Sequence, residues 1–322
     1  MNIETKNIKS FHNPKISFKK IPKKEAVIKK VRENEILRPI LEKLEFTDQE
    51  IMDSFANLVD YVNEVKNSEN ELFLTNIKRG YNDQIIFSKY LNPNSPHANE
   101  FKIANNLKLK YITSTTTKKL LNEIQSNSNS ESGFRDLMQA NNLKLIFNNQ
   151  FKNFTLVGSS TSSRSLMLSA LANQIATMDK TVAYLNINDL DTEIKSYLNK
   201  SNTQLEIREL IDSMLKLDVI ILDEFGYKKF SNWFLEIFLD PLLSECIINK
   251  KTVIFGSYYR AFILFKHYFF RESKSNNPEK FEKNTMHQKL ITNFKKIMCS
   301  YTDEYLDRTF ANEVWIGNKE DR

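Results

Sequence analysis

Glycine and proline are scarce in this chain, with six and seven among 322 residues. So few turn-forming residues favour a helix-rich architecture with few tight turns. Cysteine is scarcer still. Cys246 and Cys299 are too few for a disulfide framework and are not spaced as a metal pair. His12, His97, His267 and His287 are scattered, so no zinc site is expected. No apolar run approaches the roughly eighteen residues of a membrane span. The opening MNIETKNIKSF lacks the apolar stretch of a secretion signal, so a cytoplasmic protein without membrane partners is expected.

What is present is globular. Hydrophobic residues make up 41% and aromatics 11%, and the length suits two domains with a sizeable core. The formal charge of +6 is uneven. Residues 1–32 hold ten Lys and Arg against Glu4 and Glu25, and basic residues again outnumber acids from Lys266 to Lys296. Such lysine-rich segments can neutralise nucleic-acid phosphates, or can simply be solvated.

Three parts are expected along the chain. Residues 1–24 read as a flexible basic arm. Residues 25–110 read as a helical interaction domain ending in an irregular, Asn-rich linker over 67–110. In that domain Thr47 and Glu50 are spaced as a capping box. Ile51, Phe55, Leu58, Val59, Val62 and Val65 then recur on one face of a single long helix. Residues 111–322 alternate helical patterns with short apolar strands at 154–158, 181–187, 218–223 and 252–257, which implies a parallel α/β sheet covered on both faces. The polar run Ser126–Ser132 reads as a surface loop within that domain.

Two segments carry the chemistry. Residues 154–165 read FTLVGSSTSSRS, an apolar strand followed by a loop that opens a helix. A working phosphate-binding loop has the form G-x-x-x-x-G-K-[ST]. Its second glycine lets backbone N–H groups approach phosphate, its lysine grips the β- and γ-phosphates, and its hydroxyl ligates magnesium. Gly158 and Ser165 fit that form, but Ser163 stands for the glycine and Arg164 for the lysine. Arg164 keeps the charge with a longer, differently shaped head group. Further on, LDVIILDEFG ends a buried strand in Asp223 and Glu224, the catalytic pair that would hold magnesium and position water. Three outcomes stay open here: an active ATPase, weak binding of ATP with magnesium on Ser165 and Asp223 without turnover, or a Ser-rich turn without ligand.

In order and spacing, these motifs resemble bacterial primosomal helicase loaders of the DnaI/DnaC type, AAA+ proteins related to transposition ATPases of the IstB type. ENEILRPILEKLEFTDQEIMDSFANLVDYVNEVKN looks like the loader's helicase-binding module. FTLVGSSTSSRSLMLSALANQIA looks like its phosphate loop and first helix. VIILDEFGYKKFSNWFLEIFLDPLLSECIINKKTVIFGSYY looks like its carboxylate motif, Trp-containing helix and sensor strand. The resemblance implies an AAA+ α/β domain behind an N-terminal helical domain. It also implies docking on the replicative DNA helicase, contact with single-stranded DNA and a homo-oligomer. Lys266, Arg271, Lys295, Lys296, Tyr258, Tyr259 and Phe265 are the DNA candidates. There are departures: residues 67–100 hold no cysteine, Tyr258 stands where the sensor Asn is usual, and KLITNFKKIM contains no trans-acting arginine. Arg271 and Arg308 are the candidate substitutes. An adaptor that binds helicase or DNA independently of nucleotide is the alternative reading.

Overall fold

The computed structural model describes residues 23–110, 117–126, 129–138, 143, 153–159, 162–197, 202–260, 264, 292–293 and 313–315. The chain divides into two compact units, Met1–Ala98 and Asn99–Arg322. The basic arm lies almost wholly outside the described residues.

In the first unit, helices α1 (Lys24–Arg32), α2 (Arg38–Lys43), α3 (Asp48–Asp53) and α4 (Phe55–Lys66) precede an antiparallel hairpin of β1 (Phe73–Arg79) and β2 (Ile85–Leu91). Thr47 caps α3: its hydroxyl accepts from Glu50 N–H while the Glu50 carboxylate accepts from Thr47 N–H, as the spacing predicted. The core joins Val31, Leu37, Leu41, Phe46, Ile51, Leu58 and Val62, with Ile77, Ile85 and Phe87 of the hairpin against it.

Two expectations fail here. The long helix is broken at Ser54, whose φ of −101° and ψ of 7° separate α3 from α4. Serine supports a helix interior weakly, and only Ile51, Leu58 and Val62 of the stripe are buried. Phe55, Val59 and Val65 remain 39%, 41% and 37% exposed. Residues 67–110 are also not an irregular linker. They hold the hairpin, the helix α5 (Ala98–Asn106) and the strand β3 (Leu107–Lys110). Alternation on β1 and β2 supplies the hairpin's inner face, and β3, which belongs to the second unit, pairs there with the strand at Val182–Asn186.

After α5 and β3, the second unit runs through α6 (Asn129–Leu137), β4 (Phe154–Val157), α7 (Arg164–Thr177), β5 (Val182–Asn186), α8 (Ile187–Ser196), α9 (Thr203–Leu215) and β6 (Val219–Phe225). It continues through α10 (Asn232–Phe234), a π turn (Leu235–Leu239), α11 (Asp240–Ile248), β7 (Thr252–Ser257) and β8 (Glu313–Trp315). Six strands form one sheet in the order β3-β5-β6-β7-β4-β8, every pair parallel. Successive residues serve opposite faces, which is why the strands read as continuous apolar runs. Ala183, Leu185, Ile220, Leu222, Val253 and Phe255 pack with α8, α9 and α11. Val182, Tyr184, Val219, Ile221 and Ile254 pack with α7 and α6 on the other face. Trp233 packs partly buried against the first of these clusters.

Helix α7 runs beneath the sheet with Leu168, Leu171 and Ile175 all but sealed from solvent. Burying each contributes roughly 1.5–3 kcal/mol. The Ser126–Ser132 run is not a surface loop throughout. Its second half enters α6, where Glu131 and Phe134 are 3% and 1% exposed. The apolar contact of Phe134 with Phe154 draws this polar segment inward. Among the described residues no helix is long and apolar enough to cross a membrane.

Candidate functional site

Because all strands are parallel, the loop after β4, the end of β6 and the residues after β7 meet at one edge of the sheet. Strand β7 lies between β4 and β6, so the loop and the carboxylates face each other across one strand. Ligand sites of open α/β sheets form at such carboxyl edges. Gly158 N–H donates to Ser257 O at 3.0 Å, fastening the loop to the end of β7.

Arg164 is the first residue of α7, and its side chain does not reach solvent. It is 2% exposed, and its guanidinium is consumed inside the protein. Nε donates to Asp223 Oδ1 at 3.0 Å, one Nη to Glu224 Oε1 at 2.9 Å and the other to Gly158 O at 2.8 Å. The Tyr258 ring lies beneath it, 4.1 Å from Cζ to the ring centroid, a cation–π contact in a water-poor setting. Burial alone would lower the pKa of Arg164, but attraction to Asp223 and then Glu224 outweighs it and the pKa is raised. The guanidinium is therefore permanently charged, and two adjacent acids neutralise it.

Adjacent strand residues ordinarily point to opposite faces, so a strand alone would not bring both acids to one cation. A local distortion does. The pairing of β6 with β7 shifts register between Leu222 and Phe225, and Glu224 takes a φ of 75°. Gly226 follows at φ 90°, a conformation glycine adopts without a Cβ penalty. Such a bulge re-aims a side chain, and here it swings the second carboxylate onto the same guanidinium.

The remaining polar groups are equally committed. Ser165 Oγ donates to Glu224 Oε1 at 2.6 Å. Tyr258 Oη donates to Glu224 Oε2 at 2.5 Å, and burial followed by that bond pushes its phenol up to about 12. Tyr184 Oη donates to Asp223 Oδ2 at 3.0 Å, and burial and then Asp223 raise its pKa strongly. Ser163, the N-cap of α7, gives its backbone N–H to Glu131 Oε1 at 3.2 Å.

All six site residues expected from sequence, Gly158, Ser163, Arg164, Ser165, Asp223 and Glu224, thus gather in one cluster. Their oxygens are of the kind magnesium takes, but as arranged they are engaged within the protein and not open to the ion. The hydroxyl that would ligate the ion is turned into Glu224, and a buried cation already holds both carboxylates. Tyr184, Glu131 and Gly256, whose backbone passes close against the Asp223 carboxylate, were missed in the sequence. Tyr258 stood out as a departure at the sensor position and as a DNA candidate, but its ring lies on Arg164 and its hydroxyl on Glu224. The candidate DNA residues Lys266, Arg271, Lys295, Lys296 and Phe265 lie outside the described residues, as does Arg308. Tyr259 is 39% exposed. Asn293, in the KLITNFKKIM segment, is turned into its own chain, donating to Asp240 and Ser244 at 2.7 and 2.8 Å.

The profile described as IstB-like ATP binding protein matches residues 96–261, more than half of the chain. Comparison with curated proteins gives no match. Among solved structures, DnaI is similar at 14% identity over 69% of this chain and 100% of that one, with a TM-score of 0.48. The DnaC helicase loader is similar at 13% identity over 64% and 100%, with a TM-score of 0.41. AMPPCP-bound DnaA from Aquifex aeolicus is similar at 15% identity over 47% and 45%, with a TM-score of 0.39.

Proposed function

The chain belongs to the family of IstB-like ATP binding proteins, and on that footing we propose that it is a primosomal helicase loader of DnaI-like type that works without hydrolysing ATP. It docks on the replicative DNA helicase in the cytoplasm and helps place it on single-stranded DNA. One observation carries the loss of hydrolysis. The Arg164 guanidinium lies buried between Asp223 and Glu224, in reach of both. In a working site those acids serve magnesium and water. Here they serve a side chain, and Ser165 points the same way.

The loader half of the reading draws support from the order and spacing of the motifs across the chain. It also draws on the first unit, whose exposed Phe55, Val59 and Val65 offer apolar surface for docking a protein. Holding a helicase ring is a matter of protein contacts, which a fixed nucleotide domain can position. Single-stranded DNA would meet Lys266, Arg271, Lys295 and Lys296 by charge, with Tyr259 as a stacking residue. A homo-oligomer, as the family resemblance implies, would repeat these contacts around the ring.

Two measurements test the two halves. Titration of the full chain with a fluorescent ATP analogue and magnesium is expected to show no saturation up to millimolar ligand. Saturable, magnesium-dependent binding that Asp223→Asn abolishes would overturn the loss of nucleotide function. Co-purification with the cognate replicative helicase is expected whether ATP is present or removed. Absence of a complex, with and without single-stranded DNA, would overturn the loader assignment.

A further inference from the structure

The loop's backbone has a partner of its own. In working loops of this form, N–H groups around the second glycine face the phosphates, and the start of the following helix carries partial positive charge. In this chain that position is Ser163, and its N–H points at a carboxylate: Glu131 Oε1 accepts from it at 3.2 Å. Glu131 comes from α6, distant in sequence, and is 3% exposed. A carboxylate so buried is costly unless donors compensate it. The N-cap of a fourteen-residue helix supplies one such donor.

We propose that Glu131 is the loop's built-in anion, a specificity-determining residue that takes the place of a phosphate and closes the loop to phosphorylated ligands. The inference rests on the reading that the site no longer handles nucleotide, and it adds a second, separate cause. Arg164 removes the metal's carboxylates, whereas Glu131 occupies the anion's amide. Electrostatics point the same way. The Arg164 guanidinium is taken up by Asp223 and Glu224, and the Ser163 N–H is met by a third carboxylate, Glu131, so the positive groups that would draw a phosphate already face acids of the chain. A working loop presents the opposite field, with lysine and metal drawing the anion in.

The test is calorimetric titration of the full chain with inorganic tripolyphosphate in the absence of magnesium. Wild type is expected to show no saturation. Glu131→Ala, which vacates the amide and removes a charge, is expected to bind at least about tenfold more tightly than wild type. Glu131→Gln matches the size and can still accept from Ser163, so it tests charge alone and decides the matter if the alanine variant does not fold. It is expected to gain a smaller but measurable affinity. If neither variant binds more tightly than wild type, Glu131 is not the plug. That result leaves the Arg164 lock standing, whereas magnesium–nucleotide binding by wild type would remove the lock, so the two failures are distinguishable.

Discussion

A Cβ at Gly256 would stand 2.7 Å from Cγ of Asp223 and 2.5 Å from Cδ1 of Leu168. The backbone of β7 passes that close to the carboxylate that grips Arg164. No positive φ demands glycine here, so the requirement is one of space. Gly256→Ala is therefore expected to displace Asp223 or spread β7 from α7, at a cost of roughly 1–3 kcal/mol, the usual range for overpacking. Thermal unfolding of the variant against wild type measures it. An unchanged melting temperature would mean that Asp223 can move aside freely.

The arginine itself should be structurally expensive to remove. Arg164→Ala leaves Asp223 buried without its cation and is expected to cost ~3–5 kcal/mol. Adding Asp223→Ala to that variant should recover part of the loss, because the stranded charge goes too. Denaturant titration of the two single variants and the double gives the coupling. Simple additivity would mean the pair is a contact without energetic consequence.

Tyr258 holds the second acid through its hydroxyl. Tyr258→Phe keeps the ring beneath the guanidinium and removes only the donor to Glu224 Oε2. A hydrogen bond to a charged group contributes about 1.5–3 kcal/mol, less where solvent can replace it. The expected loss is near the lower end, read by denaturant unfolding. In an alkaline spectroscopic titration the same substitution should delete one phenol ionising near about 12.

The first unit carries its own acid sensitivity. The bond from Arg79, then that from Thr47 N–H, holds the Glu50 carboxyl down at about 2 against an ordinary 4.5. Its folded pKa is depressed, so its contribution is fully present above about 4.5 and is lost as pH falls towards about 2. With both side chains about a quarter exposed, the loss is ~1 kcal/mol after solvent screening. Glu50→Gln should flatten that part of the pH–stability curve for the unit.

The sheet was legible because its strands are apolar runs bounded by polar loops, and the spacing of the loop after 154–157 and the acids at 223–224 picked out residues that the fold brings together. What those residues do to one another was not. Nothing in LDEF announces a bulge, and without it Glu224 would point away from Arg164. Glu131 was hidden in SNSNSES, where composition signals solvent and a single apolar anchor, Phe134, decides otherwise. The hairpin at 73–91 did have a signal. Gly80 and the pair Asn82-Asp83 sit between two alternating runs, with Asp83 at φ 60°. The abundance of asparagine around it masked the alternation.

The bulge at Glu224 also bears on how reversible this state is. Restoring lysine at position 164 alone would give a head group that cannot span both acids, leaving Glu224 aimed at a partner no longer there. Ser163 would still carry its Cβ, and Glu131 would still hold its amide. Positions 131, 163 and 164 are thus interlocked, and no single substitution among them is expected to open the loop to both metal and phosphate.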